Sequence, residues 1–414
     1  MANKKNLSVI SAFTCFFLIL AVFCFLFFNS EPIYGQDEDI VLVGVIKGKG
    51  APNYLDGVYD VVVNGNYAYV TSEMEDSLMI FDVSDPSNPT VAGGIINSAG
   101  SPNYLGGAIN INIRGKYAYV ISNSDFALTV FDLSEPVNPV NIGVIGGNPD
   151  TQDYLFRPVK FFIAKGYAYV TSWENSEFTI IDVSNPSTPT IVSSIKGSGS
   201  PNYLGGIVDI YVEGNYAYTA SWDDDALTII DISNPASPTV AGVLTGAGDP
   251  VYLDEACGVF VKDGYAYLTA VESLVIVDVS DPYNPEVAGV AKGKGSPNYL
   301  DGPYDLCVIN NYAYVICAGS NAFSIFDVSD VSNPEIKAIV KFEDLPSPIE
   351  WPSYIFIEGN YAYITGYDNA TLAIFDISKF TSEGVNEGTT ETFGEGEDVS
   401  ILRQWLRINN PYSI

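Results

Sequence analysis

Short apolar runs and short polar turns alternate along most of the chain, and the alternation itself repeats. The first unit runs from Val58 to Val63, passes Asn64-Gly65, and resumes from Asn66 to Thr71. A polar stretch follows, then Ser77 to Val83, the turn Ser84-Asp-Pro-Ser-Asn-Pro89, and Thr90 to Ile96. The runs are short and rich in β-branched and aromatic residues, which is a strand pattern and not a helical one. Asn64-Gly65 predicts a tight type I′ hairpin, since both positions tolerate positive φ. Pro86 and Pro89 end one run and precede the next, because proline cannot donate to a ladder.

The unit recurs seven times. Tyr-Ala-Tyr begins at Tyr67, Tyr117, Tyr167, Tyr216, Tyr265, Tyr312 and Tyr361, with gaps of 50, 50, 49, 49, 47 and 49 residues. A period of this size marks a propeller or stacked-repeat fold. Four strands per unit predict an all-β, seven-bladed β-propeller of four-stranded antiparallel blades. The last unit stops at Leu372 to Ser378 without a fourth strand, while Ile40 to Ile46 lies 50 residues before Thr90 to Ile96. The N-terminal strand is therefore expected to complete the last blade and close the ring, leaving only short outer edges.

Leu274-Val-Ile-Val-Asp278 is the five-letter signature of a known repeat. Its variants start at Leu78, Leu128, Phe178, Leu227, Phe323 and Leu372. Over residues 40–378 the chain resembles the LVIVD-repeat family. The resemblance implies an extracytoplasmic propeller of the prokaryotic cell-surface type, and it implies no reaction and no catalytic residue.

The ends differ from the repeats. Lys4 and Lys5 precede an apolar stretch from Leu7 to Phe28, so residues 1–35 read as a signal peptide or an uncleaved N-terminal anchor. Either way the propeller, residues 36–380, is expected outside the membrane. Residues 381–398 read as an acidic flexible linker. In residues 399–414, Ile401, Leu402, Trp405 and Leu406 share one helical face, with Asp398 as a cap. That short helix either folds back on the propeller or docks a partner. Net charge is −32, which disfavours nucleic acid and anionic lipid. Solubility and cation binding both fit such an acidic surface. The five cysteines do not read as disulfides. Cys15 and Cys24 lie in the apolar segment, and a turn at Ile309-Asn310 would set Cys307 opposite Tyr312, not Cys317. Cys257, Cys307 and Cys317 read as small buried side chains.

In a propeller, the loops between blades and the loops between second and third strands open on one face. The inter-blade loops repeat a Tyr-Leu pair at Tyr54, Tyr104, Tyr154, Tyr203, Tyr252 and Tyr299, and the seventh supplies Trp351. These tyrosines form either an aromatic ring at the channel mouth or wedges between blades. The second set varies more, as a binding surface on a fixed scaffold would. It supplies Trp173, Glu174, Trp222, Asp223, Asp224, Asp225, Tyr367 and Asp368, which together with Trp351 are the candidate ligand-binding residues. Glu73, Glu75, Asp76, Asp223 and Asp225 are candidate ligands for calcium, because oxygen donors suit a hard cation. The spacing is not that of an EF-hand.

The chain has no histidine, which removes Ser-His-Asp and Cys-His catalysis. The seven aspartates Asp82, Asp132, Asp182, Asp231, Asp278, Asp327 and Asp376 occur in every unit, so they are expected to hold the following turn. The sequence thus predicts a non-catalytic propeller that recognises a protein or glycan at the cell surface, where Trp173, Trp222 and Trp351 offer flat stacking surfaces. A carboxylate-dependent hydrolase of glycosidase type is the alternative.

Overall fold

The computed structural model describes residues 39–96, 98–147 and 155–381. The expected leader (1–35), most of the expected linker and the expected C-terminal helix lie outside these residues. Within them, 28 strands form seven four-stranded antiparallel sheets. The inner strands, from Val58–Asn64 in blade one to Pro352–Glu358 in blade seven, contact each other around a central channel. Val41–Lys47 pairs antiparallel with Thr371–Asp376, so the first strand of the chain is the outer strand of the last blade. Among the described residues no helix is long and apolar enough to cross a membrane.

Seven apolar clusters hold the ring together, one between each pair of neighbouring blades. The second tyrosine of each Tyr-Ala-Tyr lies in them, fully buried at Tyr69, Tyr169 and Tyr314, while the first is mostly half-buried. This follows from the two-residue period of a strand, which places both tyrosines on one sheet face. The aspartate ending each third strand does what the repetition implied. Asp82, Asp132, Asp182, Asp231, Asp278, Asp327 and Asp376 each accept the backbone N–H of the serine two residues on, at 2.7–3.0 Å. Hydrogen bonds from Lys116 and Ser134 hold the Asp132 carboxyl down at about 2.

Two local expectations are corrected. The first hairpin turns at Gly65-Asn66, because Asn64 still pairs with Tyr67, and of the two turn residues only Gly65 has positive φ. Blade three instead turns at Lys165-Gly166, both at positive φ, as a type I′ turn requires. The same one-residue offset in blade six sets Cys307 opposite Tyr314, while Cys317 pairs with Pro303. Cys257, Cys307 and Cys317 are free thiols.

Each outer strand carries a register shift, and in six of the seven blades the residue at that place meets the turn of the next blade. A Cβ added to Gly44, Gly93, Gly143, Gly242 or Gly289 would stand 2.0–2.3 Å from a backbone carbonyl of that turn. In blade three Ser193 occupies the position and donates its hydroxyl to Pro235 O at 2.6 Å. Glycine is there for close approach between backbones and not for turn geometry. Gly93→Ala is expected to lower the urea midpoint by the equivalent of about 1–3 kcal/mol, the usual cost of overpacking. An unchanged midpoint would show that the turn yields freely.

Candidate functional site

The loop face brings together what the sequence suggested in part. Trp173 and Trp222, from adjacent blades, stack with ring centroids 5.8 Å apart and planes 28° from parallel. Trp173 is 39% exposed and Trp351 50% exposed. Trp351 has its backbone N–H bonded to Asn321 Oδ1, a contact that ties the loop before blade seven to blade six. Glu174 pairs with Arg157, and Asp223 and Asp368 are exposed. Tyr367 turns inward and donates to Glu73 Oε2 at 2.8 Å.

Most of the loop carboxylates have a structural task. Asp224 accepts the N–H groups of Gly199 and Gly205 at 2.8 and 2.6 Å, and Asp125 does the same for Gly100 and Gly106. Asp76 and Asp225 reach the next blade, accepting from Gly107 N and Glu255 N at 2.9 Å each. Glu75 holds Gly50 N. The calcium candidates are thus divided between blade one (Glu73, Glu75, Asp76) and blade four (Asp223, Asp225). Among the described residues no group of three or more carboxylate or thiol side chains is placed to hold a metal ion.

Among the loop tyrosines, Tyr54 and Tyr252 pack against the apolar clusters between blades. Tyr252 lies under Lys292 and Tyr299 under Lys341, both lysines belonging to outer strands. Buried wedge positions are taken by the leucines that follow, Leu55, Leu105, Leu155, Leu204, Leu253 and Leu300, at 0–2% exposure.

A second feature lies in the channel, and the sequence reading passed over it. At the third position of the inner-strand run, Asp60, Asn110, Lys160, Asp209, Asp305 and Tyr354 line the channel, and Gly258 holds the equivalent place in blade five. Asp60 accepts from Val61 N at 2.7 Å and, across the blade boundary, from Ile111 N at 3.0 Å and from Asn110. Asn110 Oδ1 accepts from Phe161 N. Asp209 joins Ile210 N to Val259 N at 2.8 and 2.7 Å, and Asp305 accepts from Ile355 N at 3.1 Å. Lys160 stands among them. Its Nζ has no hydrogen-bond acceptor among the described residues and lies 3.8 Å from the centroid of the Tyr354 ring. On the loop side Tyr59 and Tyr304 share a hydroxyl contact at 2.9 Å, and Tyr59 packs on Tyr354 and Tyr367. From these residues to the opposite face, where the hairpin turns lie, the channel encloses a cavity of about 1400 Å³. One signal would have found this ring. These seven residues are spaced like the Tyr-Ala-Tyr ruler, and five of them are charged or amide side chains inside apolar strands.

Burial pushes the Asp209 carboxyl up to about 7 and Asp60 up to about 6, with Lys160 opposing the shift in each. Burial raises Asp305 as well.

The family can now be stated. A family model described as LVIVD repeat matches residues 57–95, 105–145, 162–196, 205–245, 255–291, 304–341 and 353–384. The chain belongs to the LVIVD repeat family. Each match begins near an inner strand, and the six complete matches end in the outer strand of the same blade, so repeat and blade coincide. No curated protein matches this LVIVD repeat chain in sequence. Solved structures share its fold. A streptogramin B lyase is 10% identical with a TM-score of 0.58, covering 80% of this chain and 97% of that one. A catalytically inactive virginiamycin B lyase from Staphylococcus aureus, solved with quinupristin, is 11% identical with a TM-score of 0.57, covering 80% and 99%. A functionally unknown protein from Desulfotomaculum acetoxidans is 13% identical with a TM-score of 0.53, covering 73% and 94%. At such identities the likeness is one of fold.

The channel carboxylates make stability depend on pH in a defined direction. Their folded pKa values lie above the unfolded value near 3.8, so the folded state binds more protons between pH 4 and 7. Stability from these groups therefore rises as pH falls from 8 towards 5. Asp209 alone contributes on the order of 4 kcal/mol across its full titration. Thermal midpoints at high salt, which screens the surface charge, are expected to climb as pH falls through that interval. Asp209→Asn should flatten the climb whatever it does to absolute stability. A wild-type midpoint that falls with falling pH would contradict the assignment.

Proposed function

We propose that the protein is a non-catalytic, extracytoplasmic binding propeller that recognises a protein or glycan at the cell surface through its loop face. The stacked Trp173–Trp222 pair carries this reading. Trp222 is half-buried against the cluster between blades four and five and presents Trp173, 39% exposed, to water, and aromatic surface exposed in this way is the usual mark of a contact site. Exposed Trp351 and Met74, the latter 60% exposed, extend the apolar surface around the same face.

Orientation supports it. The described chain begins at Asp39 and ends at Thr381, and Asp39 pairs with Lys379 beside the last blade's hairpin-side end. Both ends thus leave from the hairpin face, and the loop face carries neither. If the apolar stretch from Leu7 to Phe28 holds the chain at a membrane, the tryptophans point away from it.

A hydrolase on this face has less support. Asp76, Asp125, Asp224 and Asp225 accept backbone hydrogen bonds, as Glu75 does, so few loop carboxylates remain for a paired acid and base.

The test is binding of the intact chain to a glycan array and to surface protein fractions, with Trp173→Ala and Trp222→Ala as comparators. Each substitution is expected to weaken the bound ligand by about tenfold or more, equivalent to ~1.4 kcal/mol, with the thermal midpoint unchanged. Full binding by both variants would remove the loop face from the account. Release of soluble sugar would replace binding with catalysis.

A further inference from the structure

The channel cavity is a second site, distinct from the loop face, and we propose that it binds a short neutral saccharide. Its wall, floor and charge balance each narrow the ligand class.

The wall is aromatic. Phe162, Tyr211 and Phe260 hold the same strand position in three consecutive blades, with neighbouring centroids 5.0 and 4.7 Å apart and planes tilted by 53° and 48°. Half-buried Phe162 and Phe260 flank Tyr211, which is 8% exposed, and with Arg114 over the Phe162 ring they offer partly apolar surface to the C–H faces of a sugar ring. The floor is polar and incompletely matched. Lys160 Nζ carries three N–H donors with no acceptor among the described residues. Asn112 Oδ1, level with the aromatic arc, is buried with no donor among the described residues. Asp209 and Asp305 are each less than a tenth exposed and accept backbone N–H groups, yet a carboxylate has about four acceptor sites. A ligand that both donates and accepts hydrogen bonds completes this set, as adjacent hydroxyls do.

Charge decides against the simpler ligands. The cavity gathers Lys160, Arg114, Lys165 and Lys262 from a chain with only 18 basic residues. Its acidic lining, which includes Glu213 and Asp263 beside the three channel aspartates, is nearly offset by them. An anion would meet the carboxylates, and an organic cation would meet Lys160 on the floor. A neutral polyol meets neither penalty, and the near-balance stands apart from the −32 of the whole chain.

Ligand-observed NMR on the intact protein with millimolar maltose, cellobiose, lactose and trehalose tests the proposal, with choline and acetate as charged counter-probes. At least one disaccharide is expected to bind, and neither counter-probe. Phe260→Ala and Lys160→Met should each weaken it by about tenfold. Phe260→Leu keeps an apolar side chain of similar bulk and removes the flat face, so its loss of binding separates stacking from packing. Val140→Ala, at a 61% exposed outer-strand position outside the cavity lining, should leave the signal unchanged. Failure of all four sugars, or equal binding of choline or acetate, overturns the proposal. Loss with Trp222→Ala but not with Phe260→Leu assigns the sugar to the loop face and leaves the cavity without a ligand.

Discussion

The ring depends on polar side chains in the channel that cross from one blade to the next. Asp60, Asn110, Asp209 and Asp305 each accept a backbone N–H from the inner strand of the following blade. Inner strands meet at an angle around a channel and cannot pair with one another as strands in a sheet do. Backbone donors facing the channel would otherwise be buried without partners. A carboxylate with two oxygens can join its own strand to the next, and Asp60 and Asp209 both do so. The cost appears as carboxyl groups pushed towards neutral pH by burial. Other junctions use other groups. Ser353 and Thr365 donate to Tyr59 O between blades seven and one, and the Thr269 hydroxyl faces Tyr304 O at 3.5 Å between blades five and six. At the junction of blades three and four the ring position holds Lys160, whose ammonium forms no backbone link to the next blade among the described residues and lies instead over the Tyr354 ring of blade seven.

That exception links architecture to function. Lys160 offsets three buried carboxylates while its ammonium lies on the Tyr354 ring at the edge of the cavity. Further down the same strands, the aromatic arc of Phe162, Tyr211 and Phe260 breaks the symmetry of the ring on the same side. Repeats built to one pattern diverge where their side chains meet the channel and where the Trp173–Trp222 stack meets solvent. Elsewhere most units perform the same tasks with the same residues, as the seven turn-holding aspartates show.

How far the sequence could be read follows from what repeats. The Tyr-Ala-Tyr spacing set blade number, the displaced strand at Ile40 to Ile46 set closure, and the repeated aspartates announced their turns. Each depends on local chemistry or on a simple period. The hairpins turn one residue later than the turn preference of Asn64-Gly65 suggests, since Asn64 still pairs with Tyr67. In the inter-blade loops the tyrosines drew attention, while the adjacent leucines fill the core. The acidic loops looked like a ligand surface, yet Asp224, Asp225 and Asp76 satisfy backbone donors of neighbouring loops. Channel residues were missed for a different reason. A lone aspartate in an apolar strand has no visible partner until the next blade, some 50 residues on, is in place beside it.

Amide hydrogen exchange in wild type and Asp60→Ala tests the inter-blade clasp most directly. The account predicts that Ile111, Phe161, Val259 and Ile355 exchange only through global unfolding in the wild type, as core amides do. It further predicts that Asp60→Ala releases Ile111 and Val61 selectively, with Val259 and Ile355 still protected. Rapid wild-type exchange at these four amides, alongside protected neighbours in the same strands, would contradict a ring held together through its channel.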